Sequence, residues 1–477
     1  MDLNGNGQWD DPDGFYDQGG ERRQYYQNRH STLWTLKFDL TSQLRKEHAI
    51  KTGVVLEYNK LSYADIRYPY YRYNGAIQDN GLWPEHGIFR TFYVREPTRG
   101  ALYMADQLEY GTMIAKLGLR YDFYIQSKDI FQPGIDQELN EVQIVTGEKV
   151  VRGRNKISPR LGVSYPITDV AKVYFNYGHY YQLPEFQFMY ARGTQGSSAL
   201  RLIGNFNLDF QKTVSYELGI QYAISDLYRL DLSGFYKDIY GLLNTRSVSR
   251  GTYGTSYYKN DDYGRSRGLE VQLDKTYGNY VSGYVNYQYG FAYGKNSAEV
   301  SNYYAQAVGG AERIPLQEYP LDWDIRHQIT LNTDVRINKG DHPYLFGLRM
   351  PDNWGINILW QYRTGYPFTP TKDFPGEYIY LVGSQDPPTN SKRMPANSKV
   401  DLRFNKDFSV WKLNYTFSVW VNNVFNKRNV IDVYRNTGRP DTQQNLFGII
   451  MPGDEIDKTP LNYEYGRNIR VGLSMQF

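Results

Sequence analysis

The feature that most limits this chain is a side-chain alternation of period two, sustained over segments too long for an ordinary soluble sheet. In the last thirteen residues Tyr465, Ile469, Val471, Leu473, Met475 and Phe477 share one face, while Gly466, Asn468, Arg470, Gly472, Ser474 and Gln476 share the other. Successive strand residues point to opposite faces, so the pattern describes a strand with one apolar and one polar side. Arg467 is the one charge on the apolar face. It lies near the strand's upper end, where a long side chain can snorkel to water.

The split recurs in Val214, Tyr216, Leu218, Ile220 and Tyr222 against Ser215, Glu217, Gly219 and Gln221, and in Leu413, Tyr415, Phe417, Val419 and Val421 against Asn414, Thr416, Ser418 and Asn422. It returns in Ala115, Leu117, Leu119, Tyr121, Phe123 and Ile125 against Lys116, Gly118, Arg120, Asp122 and Gln126. Strands of soluble sandwiches usually run about five or six residues. These run ten to thirteen, enough to cross a bilayer at a steep tilt.

Fifteen such strands are predicted, beginning near residues 31, 49, 101, 113, 156, 171, 213, 228, 265, 280, 327, 354, 398, 412 and 465. Those near 49 and 101 are the least regular, because Asp106 interrupts an apolar face. Tight connections at 44–48, 111–112, 168–170, 224–227, 276–279 and 409–411, with a looser one at 338–353, take turns with long loops. The long loops span 61–100, 128–155, 181–212, 241–264, 291–326, 363–397 and 438–464. A meander with short turns at one end and long loops at the other is the plan of an outer-membrane barrel, short turns facing the periplasm.

Composition agrees with that plan. The 477 residues include 47 tyrosines and no cysteine, so there is no disulfide framework, thiolate nucleophile or Cys-ligated zinc. A net charge of +3 argues against a general nucleic-acid binder. Mean hydropathy is −0.64 and no apolar run approaches 18 residues, which excludes transmembrane helices but not a barrel. The start, MDLNGNGQWDDPDGF, is acidic and polar, unlike a secretory signal. Bacterial single-chain barrels have even strand numbers, so an odd count predicts either strands ahead of Met1 or a miscounted strand. The expected organisation is an extracellular loop segment over 1–30 and a partial outer-membrane barrel over 31–477.

Four stretches carry a resemblance. ISPRLGVSYPITDVAKVYFNYGHYYQLPEF (157–186), GNFNLDFQKTVSYELGIQYAISD (204–226), VNNVFNKRN (421–429) and the terminal aromatic of GRNIRVGLSMQF together resemble the barrel of TonB-dependent outer-membrane receptors. The sequence departs from that pattern at Phe206, Phe210 and Gln211, where the family commonly has Pro-rich and Glu-containing residues. The family's plug domain and energy-coupling box are not found here. The resemblance implies an all-β antiparallel meander, a transmembrane β-barrel contributing about fifteen strands of a 22-stranded cylinder. It also implies uptake of a scarce nutrient (metal chelate, glycan or peptide), energised by the TonB complex acting through the plug. Outer-membrane lipid and the nutrient are then the partners, nucleic acid is not, and no cofactor is needed for transport. A passive outer-membrane channel and a surface adhesin barrel are the alternatives.

The polar strand faces place Lys116, Arg120, Asp122, Arg160, Glu217, Glu270, Asp274, Asp401 and Arg403 in the lumen, where they are expected to pair with one another and with the plug. Aromatics crowd three long connections: Tyr63, Tyr68, Tyr70, Tyr71 and Tyr73; Tyr180, Tyr181, Phe186, Phe188 and Tyr190; and Tyr366, Phe368, Tyr378 and Tyr380. Most suit an interfacial girdle. The continuous set Tyr180, Tyr181, Phe186, Phe188 and Tyr190 reaches past a strand end and is the candidate substrate-binding surface, its rings suited to stacking on sugar faces or an aromatic chelator.

The amino-terminal stretch has calcium-loop spacing. Asp2, Asn4, Asn6, Asp10 and Asp13 stand at positions 1, 3, 5, 9 and 12, with Gly7 at 6 and the Gln8 carbonyl at 7. Bound Ca2+ would stiffen an outer loop; a plain polar turn is the other reading. No catalytic residue is nominated. The six histidines lack metal-protease spacing, and no nucleophile elbow or phosphate loop occurs. The acidic pairs Asp261/Asp262 and Asp322/Asp324 sit among turn residues and read as solvated turns.

Overall fold

The computed structural model describes residues 25–67, 90–131, 142–190, 200–250, 253–303, 317–370, 388–411, 413–442 and 459–476. Among these, fifteen strands of nine or more residues form one antiparallel meander. They are β1 (Tyr25–Arg45), β2 (His48–Arg67), β3 (Thr98–Tyr110), β4 (Met113–Ile125), β5 (Gly153–Thr168), β6 (Ala171–Gln182), β7 (Gln211–Ser225) and β8 (Tyr228–Arg250). There follow β9 (Tyr253–Gly278), β10 (Val281–Gly294), β11 (His327–Ile337), β12 (Trp354–Arg363), β13 (Asn397–Val410), β14 (Leu413–Asn422) and β15 (Asn468–Gln476). Each long strand pairs with its neighbours in the chain, from β1 with β2 through to β14 with β15. Three short segments, Arg90–Arg95, Leu200–Ile203 and Tyr319–Pro320, join the same sheet.

Cross-strand register keeps each predicted face intact. Leu119 lies opposite Met104, Leu218 opposite Phe175, and Val471 opposite Val419, so apolar side chains gather on one surface of the sheet. On that surface Leu36, Phe38, Met104, Leu119, Leu218, Ile220, Val471 and Leu473 are all exposed. A belt of exposed Leu, Val, Phe and Met is unfavourable against water and favourable against acyl chains, which identifies this face as the lipid-facing one. The larger buried apolar cluster lies elsewhere, among loop and strand-end side chains at the long-loop end.

The short-turn end is built on left-handed backbone, which Gly and Asn accept readily and Tyr280 only at a local cost. Gly111 (φ 59°) turns β3 into β4, while Asn279 and Tyr280 (φ 53° and 65°) turn β9 into β10. Positive φ at both central residues gives the turn twist that matches a right-handed hairpin.

Two expected loops are partly strand. The segment 241–264 is mostly strand: β8 runs on to Arg250 and pairs with β9 from Tyr253, with register shifts on either side of Leu242 and Gly241 at φ 68°. Its Ser, Thr, Tyr and Val residues suit strands, and the bulge lets the ladder bend without ending. In 61–100, β2 extends to Arg67 and pairs first with β3 and then with Arg90–Arg95. Glu96-Pro97 interrupts that ladder, since proline offers no N–H. The irregular Asp106 has a partner: His48 Nδ1 lies 2.8 Å from its carboxylate. Arg467 stands just before β15, exposed, with its N–H donating to Asn426 at 2.9 Å.

Candidate functional site

Functional side chains are positioned by the opposite, polar face of the sheet and by the loops folded over its long-loop end. Along the strands this face is paired rather than bare. Arg120 meets Asp122 at 2.8 Å, Arg229 meets Asp274 at 2.7 Å, and Lys399 meets Asp401 at 3.2 Å. Arg160 lies over the Tyr180 ring (4.7 Å) and Arg403 over Trp420 (5.7 Å). Tyr174 donates its hydroxyl to Asp231 at 3.0 Å. Several expected lumen charges therefore have partners within the strands themselves.

At the long-loop end the short helix Phe186–Tyr190 packs into a buried aromatic bed. Tyr190 is 3% exposed. Its hydroxyl lies 2.6 Å from that of Tyr124 and donates to Gln126 Oε1 at 3.1 Å, which Tyr124 also reaches at 2.7 Å. Gln126 in turn donates to the Phe206 carbonyl. Tyr124 shares the polar face with Lys116, Arg120 and Asp122, so the bed stands inside the sheet's polar side. Phe188 packs on Tyr258 (5.0 Å) and Phe186 on Tyr190 (6.0 Å). Tyr93 stacks on Tyr63 (5.2 Å), and burial pushes the Tyr93 phenol up to about 12.

The five candidate aromatics thus separate. Phe186, Phe188 and Tyr190 come together in the bed. Tyr180 is exposed on the polar face, opposite Thr213, whereas Tyr181 lies on the lipid-facing side, opposite Lys212. The calcium-loop residues Asp2, Asn4, Asn6, Gln8, Asp10 and Asp13 lie outside the described residues, as do Tyr68, Tyr70, Tyr71, Tyr73, Tyr378 and Tyr380. Among the described residues no cluster of His, Asp and Glu could hold a metal ion.

The sequence pattern did not nominate a large hollow among the described residues. A cavity of about 1440 Å3 opens between the upper ends of β11, β12 and β13 and the loop before β15. Its wall carries Arg363, Lys399, Arg428, Asp441, Tyr463 and Glu464 together with neutral Gln, Asn and Thr side chains and apolar Ile325, Ile329, Ile431 and Leu461. Arg363 donates to Glu464 at 3.0 Å and to the Tyr366 hydroxyl at 2.8 Å, so one guanidinium ties a strand end to two loops. Arg428 lies over Tyr463 at 6.0 Å. Such a wall offers a polar solute donors, acceptors and ring faces without a reactive nucleophile–base pair. The available signal was the polar phase of β12 and β13, where Gln361, Arg363, Asn397 and Lys399 fall on one face.

The acidic pairs are not all solvated turns. Asp324 is buried between Arg326 (3.1 Å) and Arg393, and accepts the Ala292 N–H at 2.6 Å. Asp262 is buried as well, and desolvation raises its pKa above the ordinary carboxylate value despite a hydrogen bond from Asn296. Turn residues around both hid the fact that other loops fold over them.

Comparison with known proteins bears on this arrangement. The family described as TonB dependent receptor-like, beta-barrel matches residues 2–424. Among solved structures, the outer membrane transporter YddB from Escherichia coli is 14% identical, with a TM-score of 0.60 over 95% of this chain and 55% of its own. The FrpB iron transporter from Neisseria meningitidis is 13% identical, with a TM-score of 0.54 over 93% and 55%. A variant of the ferric enterobactin receptor PfeA from Pseudomonas aeruginosa is 15% identical, with a TM-score of 0.56 over 94% and 54%. This chain therefore spans a little over half the length of each. No curated protein sequence matches it. The strand plan, the lipid-facing belt and the family match agree, and the chain belongs to the TonB-dependent receptor β-barrel family of the Gram-negative outer membrane.

Proposed function

We propose that this chain is the lipid-embedded part of a receptor that imports a scarce polar nutrient across the outer membrane, driven by the TonB complex acting on a plug within the barrel. The observation that carries this reading is the hollow at the long-loop end, about 1440 Å3 and lined by Arg363, Arg428, Asp441, Tyr463 and Glu464 together with apolar Ile329, Ile431 and Leu461. It has the size and lining of a binding site for a metal chelate, a glycan or a peptide. No reaction on the solute is needed. The residues supply hydrogen bonds and ring faces, and release comes from outside the barrel.

Within this reading the exposed Tyr180 and the half-buried Phe186 and Phe188 contact the ligand, Tyr190 backs them from beneath, and Tyr181 holds the lipid interface. The spacing from Asp2 to Asp13 further supports a calcium loop ahead of β1, to be tested by Ca2+ titration of the protein against its Asp2→Asn/Asp10→Asn variant.

The test is fitness and uptake in a host that carries or lacks the gene, on ferric chelates, cobalamin, glycans and peptides as sole sources. Saturable uptake of one class that vanishes when the proton gradient is collapsed is the expected result. Uptake that persists and rises linearly with concentration identifies a passive channel instead. Retention at the surface without entry identifies an adhesin.

A further inference from the structure

The connection between β11 and β12 differs from the other turns at its end of the sheet. Where β3–β4 and β9–β10 turn tightly, residues 338–353 project a second, small hairpin in which Tyr344 pairs with Arg349 and Leu345 with Leu348. Its tip is apolar and bare: Phe346 is 97% exposed, Tyr344 73% and Leu348 71%. Phe346 also holds φ 49°, followed by Gly347 at 80°. A bulky residue in the left-handed region is strained where Asn, Asp or Gly would serve, so the ring is kept there against a local cost.

Three lipid-facing residues hold the base of this hairpin. Trp354 shares its face with Ile356 and Ile358, and its Nε1 donates to the Pro351 carbonyl at 2.8 Å. Lys406, paired opposite Trp354, reaches the Asp352 carbonyl and lies 3.5 Å from the Asp352 carboxylate. On the other side Tyr277 donates to the Arg336 carbonyl at 3.1 Å and accepts from Asn338 at 3.1 Å. The base is therefore continuous with an aromatic row on the lipid side, Trp354 with Phe404 at 6.4 Å and Phe404 with Phe417 at 6.4 Å. In the next turn of this rim Trp411 is 91% exposed.

The geometry points to this hairpin as a membrane-interface anchor, its tip immersed among the phospholipid headgroups and upper acyl chains of the periplasmic leaflet. A hairpin that docks on a protein presents one apolar face and keeps the other polar. Here Leu348 on one face and Phe346 at the tip are apolar, while the other face sets the Tyr344 ring beside Arg349, a mixture of ring, apolar side chain and cation that suits the headgroup layer. Lys339 and Arg349 are exposed and, among the described residues, have no ion-pair partner, so they are placed for phosphate groups.

The chain has no cysteine, so Phe346→Cys creates one labelling position in it. With a nitroxide attached, in isolated outer membranes and in phosphatidylethanolamine/phosphatidylglycerol vesicles, collision with dissolved oxygen should exceed that with a water-soluble nickel chelate severalfold. Thr112→Cys, in an exposed turn of the same rim, should show the reverse. A Phe346→Cys label reached by nickel as freely as the Thr112→Cys label overturns the proposal. A label shielded from both reagents also overturns it, because a protein partner would then cover the tip. If Phe346→Cys fails to insert, Leu348→Cys and Tyr344→Cys carry the same two readings.

Discussion

Arg393 grips Asp324 twice, donating Nη1 to its backbone carbonyl at 2.7 Å while Nη2 pairs with its fully buried carboxylate. Arg326 closes the other side, its guanidinium 4.1 Å over the Phe291 ring and hydrogen-bonded to the Tyr293 hydroxyl at 2.8 Å. One carboxylate therefore joins the loop after β10 to the loop before β13, above the sheet and beside the cavity. Removing one member of a buried ion pair strands the remaining charges and typically costs about 3–5 kcal/mol. Asp324→Ala should raise hydrogen exchange at Ala292 and Arg393 by at least tenfold while the β4–β7 amides keep their protection. Unchanged exchange at those two residues refutes the clasp.

The lumen face has a second device. Gly219 sits directly opposite Tyr174, whose ring covers the space a Cβ would need, and Gly53 and Tyr103 repeat the arrangement. An aromatic side chain laid across a strand glycine restores the packing that glycine lacks. Gly219→Val should displace Tyr174, break its bond to Asp231 and cost about 1–3 kcal/mol in overpacking. Gly111→Asn, in an open turn that tolerates Asn at positive φ, should cost far less. Urea unfolding of both variants in lipid vesicles makes the comparison.

Two carboxylates give opposite pH responses. The Gly340 N–H donating to Asp352, with Lys406 beside it, holds that carboxylate below its ordinary pKa. A depressed carboxylate adds stability above the unfolded-state pKa and loses it as pH falls through the lowered native value. The hairpin base should therefore stay ordered at neutral pH and loosen only in strong acid, and Asp352→Asn should already be loosened at pH 7 and converge with wild type in strong acid. Label mobility at residue 346 between pH 7 and pH 2 reads this directly.

Asp262 runs the other way. Burial raises its pKa, so the charged form is the less favoured one in the fold, and its contribution worsens as pH rises from the unfolded value through the raised native one. Asn296 donates to it while its own Oδ1 is buried without a partner, so an amide flip would let Asn296 accept from a neutral Asn at 262. Asp262→Asn should thus leave the β8–β9 hairpin as stable as wild type or slightly more so at pH 7, and flatten its pH dependence near the acid range. A loss above about 1 kcal/mol, the scale of one ordinary hydrogen bond, contradicts the assignment.

The aromatic bed separates support from contact. Tyr190→Ala opens a cavity among Tyr93, Tyr124 and Phe206 and should destabilise by about 3–5 kcal/mol, whereas Tyr190→Phe keeps the ring and loses the hydroxyl bonds to Tyr124 and Gln126. Tyr180→Ala, at an exposed ring, should leave thermal unfolding nearly unchanged and lower nutrient affinity. An unchanged affinity removes Tyr180 from the proposed binding surface.

The strands were legible because lipid on one side and a polar interior on the other impose a strict two-residue code, and all fifteen strand positions follow from it. Their outer limits were not. β8 and β9 run far past the bilayer, where water on both sides removes the alternation that marks an end. The burial of Asp262 and Asp324 depends on loops distant in sequence, which no local pattern reports. Arg363 was visible as a polar-face residue, but its tie to Glu464 spans 101 positions. The tip at Phe346 reads locally as a turn, and its meaning comes only from the lipid-side residues that hold its base.

Among the described residues each long strand between β1 and β15 finds its long partners immediately before and after it in the chain. Assembly of this meander can therefore proceed by sequential zipping, each new hairpin laid against the last, with only the edges at β1 and β15 left for other partners. Loop-closure entropy stays modest at every step, and a misplaced register disturbs its own rung and the next rather than the whole wall. Lengthening or shortening such a wall by one hairpin conserves the sidedness of every loop, whereas a change of one strand inverts all that follow.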